Sequence, residues 1–176
     1  MKHQGGRHIH TRLSSRQIPD LLQTIFVAEF LSPSRCIWII SPWISDIPVI
    51  DNQTNAFLAI EPSWAGARVR FSQVLAKVVD LGTTVHIATR PDEHNNSFFE
   101  RLRVEVPASV RTLNVHCVNE LHEKGILGDG YYLSGSMNFT LNGISLNEEA
   151  VHYYTSPEII SETRLVFGSR WGGAVL

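Results

Sequence analysis

The sequence predicts an α/β protein in which a mixed β-sheet is sandwiched by helices on both faces. Apolar runs of strand length alternate with amphipathic runs of helix length, and the connections between the strands are long enough for parallel pairing. Two shorter strand patterns near residues 121–135 flank Gly128-Asp129-Gly130, a strong turn signal, and indicate an antiparallel hairpin. Parallel pairing in one part and antiparallel pairing in another make the sheet mixed.

Four segments have the residue spacing of a helix. The first carries an apolar stripe, has Ser15 or Asp20 as a candidate N-cap, and ends at Ser32-Pro33-Ser34. The second ends at Gly82, and the last begins with a proline in its first turn. These patterns predict helices over residues 18–31, 69–81, 98–104 and 157–167.

The strand patterns lie between these helices. Residues 36–40 form a continuous apolar run, which is typical of a strand buried on both faces. Residues 47–67 carry prolines, and we expect a long loop there, of the kind that often serves as a lid or a partner contact. The predicted strands cover residues 36–40, 84–88, 110–118, the two arms of the hairpin, and 150–154.

The composition is that of a folded soluble domain. Hydrophobic residues make up 43% and charged residues 18% of the 176-residue chain, which is enough for one sizeable core. We expect a flexible polar leader over residues 1–14 and a single domain over residues 15–176. The N-terminus lacks the apolar region of a signal peptide, and no apolar run is long enough to span a bilayer. The predicted location is cytoplasmic, without membrane contact.

Charge and cysteine content restrict the classes of partner and cofactor. The net charge of -2 gives no overall basic field, so a nucleic acid would have to bind at a local patch. Cys36 and Cys117 lie in apolar runs and are expected to pack as small hydrophobic residues without a disulfide framework. No Cys/His spacing is typical of a zinc site, and we expect neither a metal nor another cofactor.

One stretch keeps an unusual number of polar residues inside an apolar pattern. In a strand, His122 and Lys124 would share one face. A helix beginning at Gly135-Ser136 would leave backbone N–H groups free to bind an anion. An imidazole, an ammonium, a hydroxyl, an amide and free N–H groups in one place suit a phosphate on which negative charge develops during a reaction. The alternative, a hairpin with a solvated face, does not account for a Gly-Ser-x-Asn sequence directly after the second strand. The candidate catalytic residues are His122, Lys124, Asp129, Ser136, Asn138 and Glu149.

Polar residues also follow two of the predicted central strands. Ser41 and Trp43 come after the first of them, and Arg90 and His94 come after the second. Ligands of α/β proteins bind at the carboxyl ends of the strands, so these four residues are candidate substrate contacts. The alternatives are a turn with Trp43 packed on the core, and a polar loop with Asn95 capping the next helix.

The polar string resembles the HKD motif of the phospholipase D superfamily. The resemblance is carried by His122-x-Lys124, then Asp129, then Gly135-Ser136-x-Asn138. The family usually has about one more residue between the Asp and the Gly-Ser pair. It also has a Glu downstream, for which Glu149 is the best match and Glu148 the second.

The resemblance implies an α/β/α sandwich and phosphodiesterase chemistry without a metal. It implies that His122 is the nucleophile, that Lys124, Ser136 and Asn138 hold the nonbridging oxygens, and that a Glu fixes the imidazole tautomer. Asp129 would organise the site. The family uses two such histidines, and this chain has one motif, so a homodimer with two copies of His122 around one phosphate is implied.

The motif by itself does not select the phosphodiester that is cleaved. The short single-motif chain, the lack of a membrane anchor and the flanking segments favour DNA. Those segments, Ser-Pro-Trp-Ile-Ser-Asp among them, resemble phospholipase D-like proteins encoded beside bacterial deazaguanine DNA-modification genes. The predicted function is therefore a nuclease in restriction or phage defence, with other proteins of such a cluster as partners. The alternatives are a phospholipid phosphodiesterase or phosphatidyltransferase, and a non-catalytic subunit that binds the DNA backbone.

Overall fold

The computed structural model describes residues 6–10, 17–107, 109–146 and 149–173. Helices in these residues are α1 (Gln17–Leu31), α2 (Phe71–Asp80), α3 (Asn96–Glu105) and α4 (Pro157–Trp171). Strands are β1 (Gly6–His10), β2 (Cys36–Ile40), β3 (Pro48–Asp51), β4 (Arg68–Arg70), β5 (Thr84–Thr89), β6 (Leu113–Cys117), β7 (Gly125–Leu127), β8 (Tyr132–Gly135) and β9 (Ala150–Tyr154).

The main sheet is mixed, as the sequence predicts. It has seven strands in the order β1-β9-β8-β7-β2-β5-β6 within the described residues. The β2, β5 and β6 strands are parallel to one another, whereas β7 pairs antiparallel with β2 and with β8. The hairpin formed by β7 and β8 therefore joins the parallel half of the sheet to an antiparallel half.

Both faces of the sheet are covered by helices. Strand β2 is fully buried, and its side chains alternate between two cores. Ile37 and Ile39 belong to the larger core, beneath α1, α2 and α3. Trp38 and Ile40 belong to a smaller core that includes Phe167 and other residues of α4. The continuous apolar run in the sequence thus reflects burial on two sides, and the α/β sandwich is confirmed.

The segment over residues 47–67 has more structure than the loop expected from the sequence. Strands β3 and β4 pair antiparallel in a small separate sheet, and Pro62–Trp64 form a 3₁₀ turn between them. The second helix consequently begins at Phe71, two residues later than predicted. The reason is the Arg68-Val69-Arg70 pattern, in which a buried valine lies between two exposed arginines. Side chains that alternate between exposed and buried positions are typical of a strand. The 3.6-residue repeat of a helix starts only after Arg70.

Part of the predicted leader belongs to the sheet. Residues Gly6–His10 pair antiparallel with β9 as an edge strand, so for these five residues the expectation of a flexible leader is wrong. The pairing provides hydrogen-bond partners for the outer edge of β9, which would otherwise be exposed. Residues 1–5 and 11–16, which include the candidate N-cap Ser15, lie outside the described residues. The domain boundary near residue 15 stays a prediction.

The last helix continues beyond its predicted end. Helix α4 extends to Trp171, which is buried in the smaller core, and the Trp38 indole N–H donates to the carbonyl of Gly172 (2.9 Å). None of the helices in the described ranges combines the length and the apolar character that a membrane-spanning helix requires.

Candidate active site

One end of the main sheet collects most of the candidate residues. Ile40 pairs with Ala88 of β5 and with Gly125 of β7. Gly125 pairs in turn with Ser134 of β8, whose neighbour Gly135 lies opposite Val151 of β9. The carboxyl ends of β2, β5 and β8 therefore lie beside the amino ends of β7 and β9. The segments that meet there carry Ser41, Trp43, Arg90, His94, His122, Lys124, Ser136, Asn138 and Glu149.

His122 and Lys124 precede the strand in which the sequence analysis placed them. Strand β7 begins only at Gly125, so the argument that the two side chains share a strand face is wrong. They reach the site because residues 121–124 cross the end of the sheet before the chain enters it. The His122 side chain is exposed, and the Lys124 ammonium donates to the His122 carbonyl (2.5 Å).

Arg90 makes a direct contact with the imidazole of His122. Its Nη2 lies 3.0 Å from Nε2 of His122, and its Nε donates to the carbonyl of Leu121 (2.8 Å). The guanidinium also lies over the ring of Trp43, 5.1 Å from the ring centroid. Of the predicted substrate contacts, Arg90 therefore touches the candidate nucleophile, and Trp43 is connected to it through Arg90.

Asp92 fixes the outer part of this cluster. Its carboxylate accepts from the Trp43 indole N–H (3.0 Å) and from the backbone N–H of His94 (2.9 Å). The backbone hydrogen bond from His94, followed by that from Trp43, holds the pKa of Asp92 below its ordinary value. Nε2 of His94 lies 2.9 Å from the hydroxyl of Ser45. Asp92 was not among the candidate residues, although it lies in the polar loop that the sequence analysis singled out.

Asn95 is a second residue whose role the sequence did not reveal. Asn95 stands at the N-cap position of α3, as the alternative interpretation of this loop had it, but its buried side chain makes no capping hydrogen bond. The amide oxygen instead accepts from the N–H of Ile44 (2.8 Å). The amide nitrogen donates to the carbonyls of Pro42 (3.1 Å) and Arg90 (2.9 Å) and to the Thr89 hydroxyl (2.9 Å). One side chain thus joins the loops that carry Trp43 and Arg90.

The Gly-Ser-x-Asn segment has a different structure from the one predicted. No helix begins at Ser136, because its backbone N–H donates to the carbonyl of Ala150 (3.1 Å) and continues the pairing of β8 with β9. This N–H is not free for an anion, and that expectation is wrong. A Cβ at Gly135 would collide with the same carbonyl oxygen, which explains the glycine. A helical turn appears later, over Asn142–Leu146.

Hydrogen bonds link the remaining candidates in two groups, one around Glu149 and one around Ser41. The Ser136 hydroxyl donates to the carboxylate of Glu149, which is buried next to β9. The Ser41 hydroxyl donates to the carbonyl of Trp43 (2.8 Å), lies 3.5 Å from Oδ1 of Asn138, and accepts from the Phe139 N–H (3.3 Å). Ser41 is fully buried, so it positions these segments and does not face solvent. Asn147 and Glu148 lie outside the described residues.

Asp129 lies at the opposite end of the hairpin from His122. Strand β7 separates the two residues, and Asp129 occupies the turn before β8. Its carboxylate lies 3.0 Å from Nη1 of Arg164, and it accepts from the backbone N–H (3.0 Å) and Nε (3.3 Å) of Arg35. Burial alone would raise the pKa of Asp129, but these partners outweigh it and lower the pKa. The structure therefore does not bring Asp129 together with the other candidate catalytic residues.

A cavity of about 700 Å³ adjoins the cluster, between α3 and the edge strand β6. It begins at Arg90 and Asp92 and continues along apolar side chains that include Phe99 and Val115. In the described ranges, no three His, Cys, Asp or Glu side chains come together to hold a metal ion. A mechanism without a metal stays a prediction.

Comparison with protein families gives one match over most of this chain. A family model described as "Cardiolipin synthase, PLD-like domain" matches residues 37–171. No curated protein sequence matches the chain significantly.

Solved structures resemble this chain over more than nine tenths of its length. NucT from Helicobacter pylori is 14% identical, with 93% of each chain covered and a TM-score of 0.61. Nuc from Salmonella typhimurium, a phospholipase D family member, is 13% identical, with 94% of this chain and 93% of Nuc covered and a TM-score of 0.59. The phosphatidylserine synthase of Haemophilus influenzae is 11% identical over 93% of this chain and 36% of its own, with a TM-score of 0.57. At such identities these similarities show a shared fold.

Proposed function

The chain belongs to the phospholipase D-like family, a family of phosphodiesterases, and we propose that it is a metal-independent DNA nuclease that acts as a homodimer. The observation that carries the proposal is the convergence of His122, Lys124, Arg90 and Asn138 at one end of the sheet. An imidazole nucleophile, two cationic groups and an amide donor suit a phosphodiester whose negative charge must be held while phosphorus is attacked.

The reaction proceeds in two displacements. Nε2 of one His122 attacks phosphorus, an N–P bond forms and the P–O bond to the leaving group breaks. The His122 of the second copy donates a proton to the leaving oxygen and then accepts a proton from the water that cleaves the N–P bond. Lys124 and Asn138 hold the nonbridging oxygens, Ser136 joins them when its hydroxyl turns from Glu149 to the phosphate, and Glu149 supports the imidazole tautomer. Asp129 acts indirectly, through the turn that ends β7.

The homodimer is supported by the single histidine of the motif and by its exposure. His122 projects to solvent at the end of the sheet, where a two-fold axis would bring the same patch of a second copy opposite it. Within the described part of the chain, Nδ1 of His122 has no hydrogen-bond partner, so Glu149 of the same protomer does not bind it. That nitrogen is available to the Glu149 carboxylate of the second copy. Nuc and NucT match this chain over nearly their full lengths, which supports the assignment to a short single-motif branch.

Three observations support DNA as the substrate. The archaeal chromatin protein TrmBL2, whose structure shows a mode of DNA binding, shares the fold with a TM-score of 0.53. The cavity between α3 and β6 gives an unstacked base a place beside the phosphate, with Phe99 as an aromatic wall. The segments flanking the motif resemble the phospholipase D-like protein DpdK, encoded beside bacterial deazaguanine DNA-modification genes. That resemblance supports a role in restriction or phage defence with other proteins of the cluster.

A phosphatidyltransferase is the second candidate. The matching family model is described as a cardiolipin synthase domain, a phosphatidylserine synthase shares the fold, and an apolar cavity wall suits an acyl chain as well as a base. The near-neutral net charge favours a third function, in which the chain binds the DNA backbone without cleaving it.

The test compares wild type with His122→Ala in the presence of EDTA. Substrates are single-stranded DNA, modified and unmodified duplex, and phospholipid vesicles, and His116→Gln, outside the site, is the matched histidine control. Cleavage of DNA by wild type and the control but not by His122→Ala supports the proposal. Activity on vesicles alone selects the lipid enzyme, and equal activity in all three proteins refutes catalysis by this chain. Sedimentation tests the dimer: a monomer that turns over contradicts the two-histidine scheme.

A further inference from the structure

Arg90 does not belong to the HKD motif, yet it is the side chain that contacts the candidate nucleophile. From its geometry, and on the basis of the proposed function, we propose that Arg90 masks Nε2 of His122 until a phosphodiester binds. The guanidinium then moves to the phosphate oxygens and releases the attacking nitrogen. Arg90 thus has two successive partners, the imidazole in the free protein and the phosphate in the complex with substrate.

The direction of the contact determines the tautomer of His122. A guanidinium has only donors and keeps its charge at any accessible pH. The Nη2 group 3.0 Å from Nε2 must therefore donate, and Nε2 must accept. A neutral imidazole that accepts at Nε2 carries its proton on Nδ1. The contact thus places the lone pair on the nitrogen that attacks phosphorus, and at the same time occupies that lone pair.

The guanidinium is held where a phosphate would meet it. Its Nε is bound to the carbonyl of Leu121 (2.8 Å), and its flat face lies on Trp43, whose own indole is fixed by Asp92. The Nη1 group has no hydrogen-bond partner among the described residues. Because arginine binds phosphate through two parallel N–H bonds, the free Nη1 edge can take one oxygen before Nη2 leaves the imidazole for another. The guanidinium therefore needs to move only a short distance, and it keeps a hydrogen-bond partner throughout the exchange.

Because of this exchange, Nε2 of His122 becomes free to attack only when a substrate binds. While Nη2 donates to Nε2, the lone pair is unavailable to other electrophiles in solution. When the guanidinium transfers to the phosphate, the lone pair is freed, and attack then requires phosphorus to lie within about 3–3.5 Å of Nε2. The N–P bond then forms as the P–O bond breaks. The leaving oxygen takes its proton from the second His122, which acts as an imidazolium after its own Arg90 has also moved to the phosphate.

The proposal is tested by the protonation state of the imidazole. In ¹⁵N-histidine-labelled protein at neutral pH, we expect His122 to show the Nδ1–H tautomer in wild type and a mixture with the Nε2–H tautomer in Arg90→Gln. Carbethoxylation of His122 by diethyl pyrocarbonate is expected to be several-fold faster in Arg90→Gln, while kcat/KM for a phosphodiester falls by about 10²–10³. Arg90→Lys keeps the positive charge but lacks the parallel N–H donors of the guanidinium. We expect its modification rate and its kcat/KM to lie between those of wild type and Arg90→Gln.

Arg103→Gln is the control, because this arginine lines the neighbouring cavity without touching His122. It should leave the tautomer and the modification rate at their wild-type values, and thermal denaturation shows whether each variant is folded. An unchanged tautomer together with an unchanged modification rate in folded Arg90→Gln overturns the inference. The proposed function fails separately, by turnover in His122→Ala, so the two failures are distinguishable.

Discussion

Replacing Asp129 by Asn tests whether this residue serves stability or chemistry. The resemblance to the family makes Asp129 part of the catalytic motif, whereas the structure places it at the far end of β7, between Arg35 and Arg164. Asp129→Asn keeps the shape of the side chain and removes its charge. We expect a less stable protein whose folded molecules turn over substrate at close to the wild-type rate.

The size of the stability loss follows from the contacts of Arg164. Its side chain is 7% exposed, so it would lose its charge partner in a nearly water-free position. Breaking a fully buried pair costs roughly 3–5 kcal/mol. The Asp129 side chain is 32% exposed and Arg164 keeps its bond to the Gly128 carbonyl, which reduces the expected loss to about 2 kcal/mol. For a chain of this size the melting temperature would fall by about 4–8 °C.

The pH dependence of this loss has a definite sign. The pKa of Asp129 is lowered in the folded protein, so its contribution is complete above the ordinary carboxyl pKa of about 4. The contribution is lost as pH falls through the lower folded value. The difference in unfolding free energy between wild type and Asp129→Asn should therefore be constant near neutral pH and shrink in strong acid.

Urea denaturation and turnover of bis(p-nitrophenyl) phosphate are the two assays. Asp80→Asn is the matched control, because Asp80 is 77% exposed and lies 3.9 Å from Lys77; its expected effect is below about 0.5 kcal/mol. Loss of turnover in Asp129→Asn with unchanged stability would refute this reasoning and return Asp129 to the chemistry.

Three further changes test other parts of the structure. Ser136→Ala removes the hydroxyl that donates to buried Glu149 and should lower the unfolding free energy by about 1–3 kcal/mol and reduce turnover. His116→Gln should weaken the loss of stability on acidification, measured by urea unfolding at pH 7.5 and 5.5. Burial lowers the pKa of His86 and of His116, so both favour the folded state only while neutral, above about pH 6.5. Phe99→Ala should raise KM for an oligonucleotide about tenfold or more without changing turnover of the small phosphodiester.

Each of these changes has its own control. Ser136→Thr keeps the hydroxyl and should retain most of the stability, and equal losses in both variants would argue against the bond to Glu149. Ser169→Ala, at an exposed residue that carries no titratable group, should leave the difference in stability between the two pH values unaltered. Phe99→Leu keeps the apolar wall of the cavity but removes the aromatic ring. Oligonucleotide KM values that match wild type in both position-99 variants would exclude this cavity as a base site.

The sequence predicted the layers of the fold and the local motif because both are recorded in short-range patterns. The run over Cys36–Ile40 indicated a strand buried on both sides, and the structure places its alternate side chains in two cores. Prediction from the sequence was wrong where one pattern was compatible with two structures. Gly135-Ser136 was expected to begin a helix, but continued pairing with β9 prevailed, because Gly135 allows a closer approach of the backbone than any other residue.

What the sequence by itself determined is the set of chemical groups and the strands after which they follow. Only the tertiary structure decided which groups meet. Arg90 and His122 are 32 residues apart, and they touch because β2 pairs with β5 on one side and with β7 on the other. Asp129 is far closer to His122 in sequence and yet lies at the other end of the hairpin. Periodicity reports which face of an element is buried, whereas the order of strands in a sheet depends on contacts between distant segments, which no local pattern records.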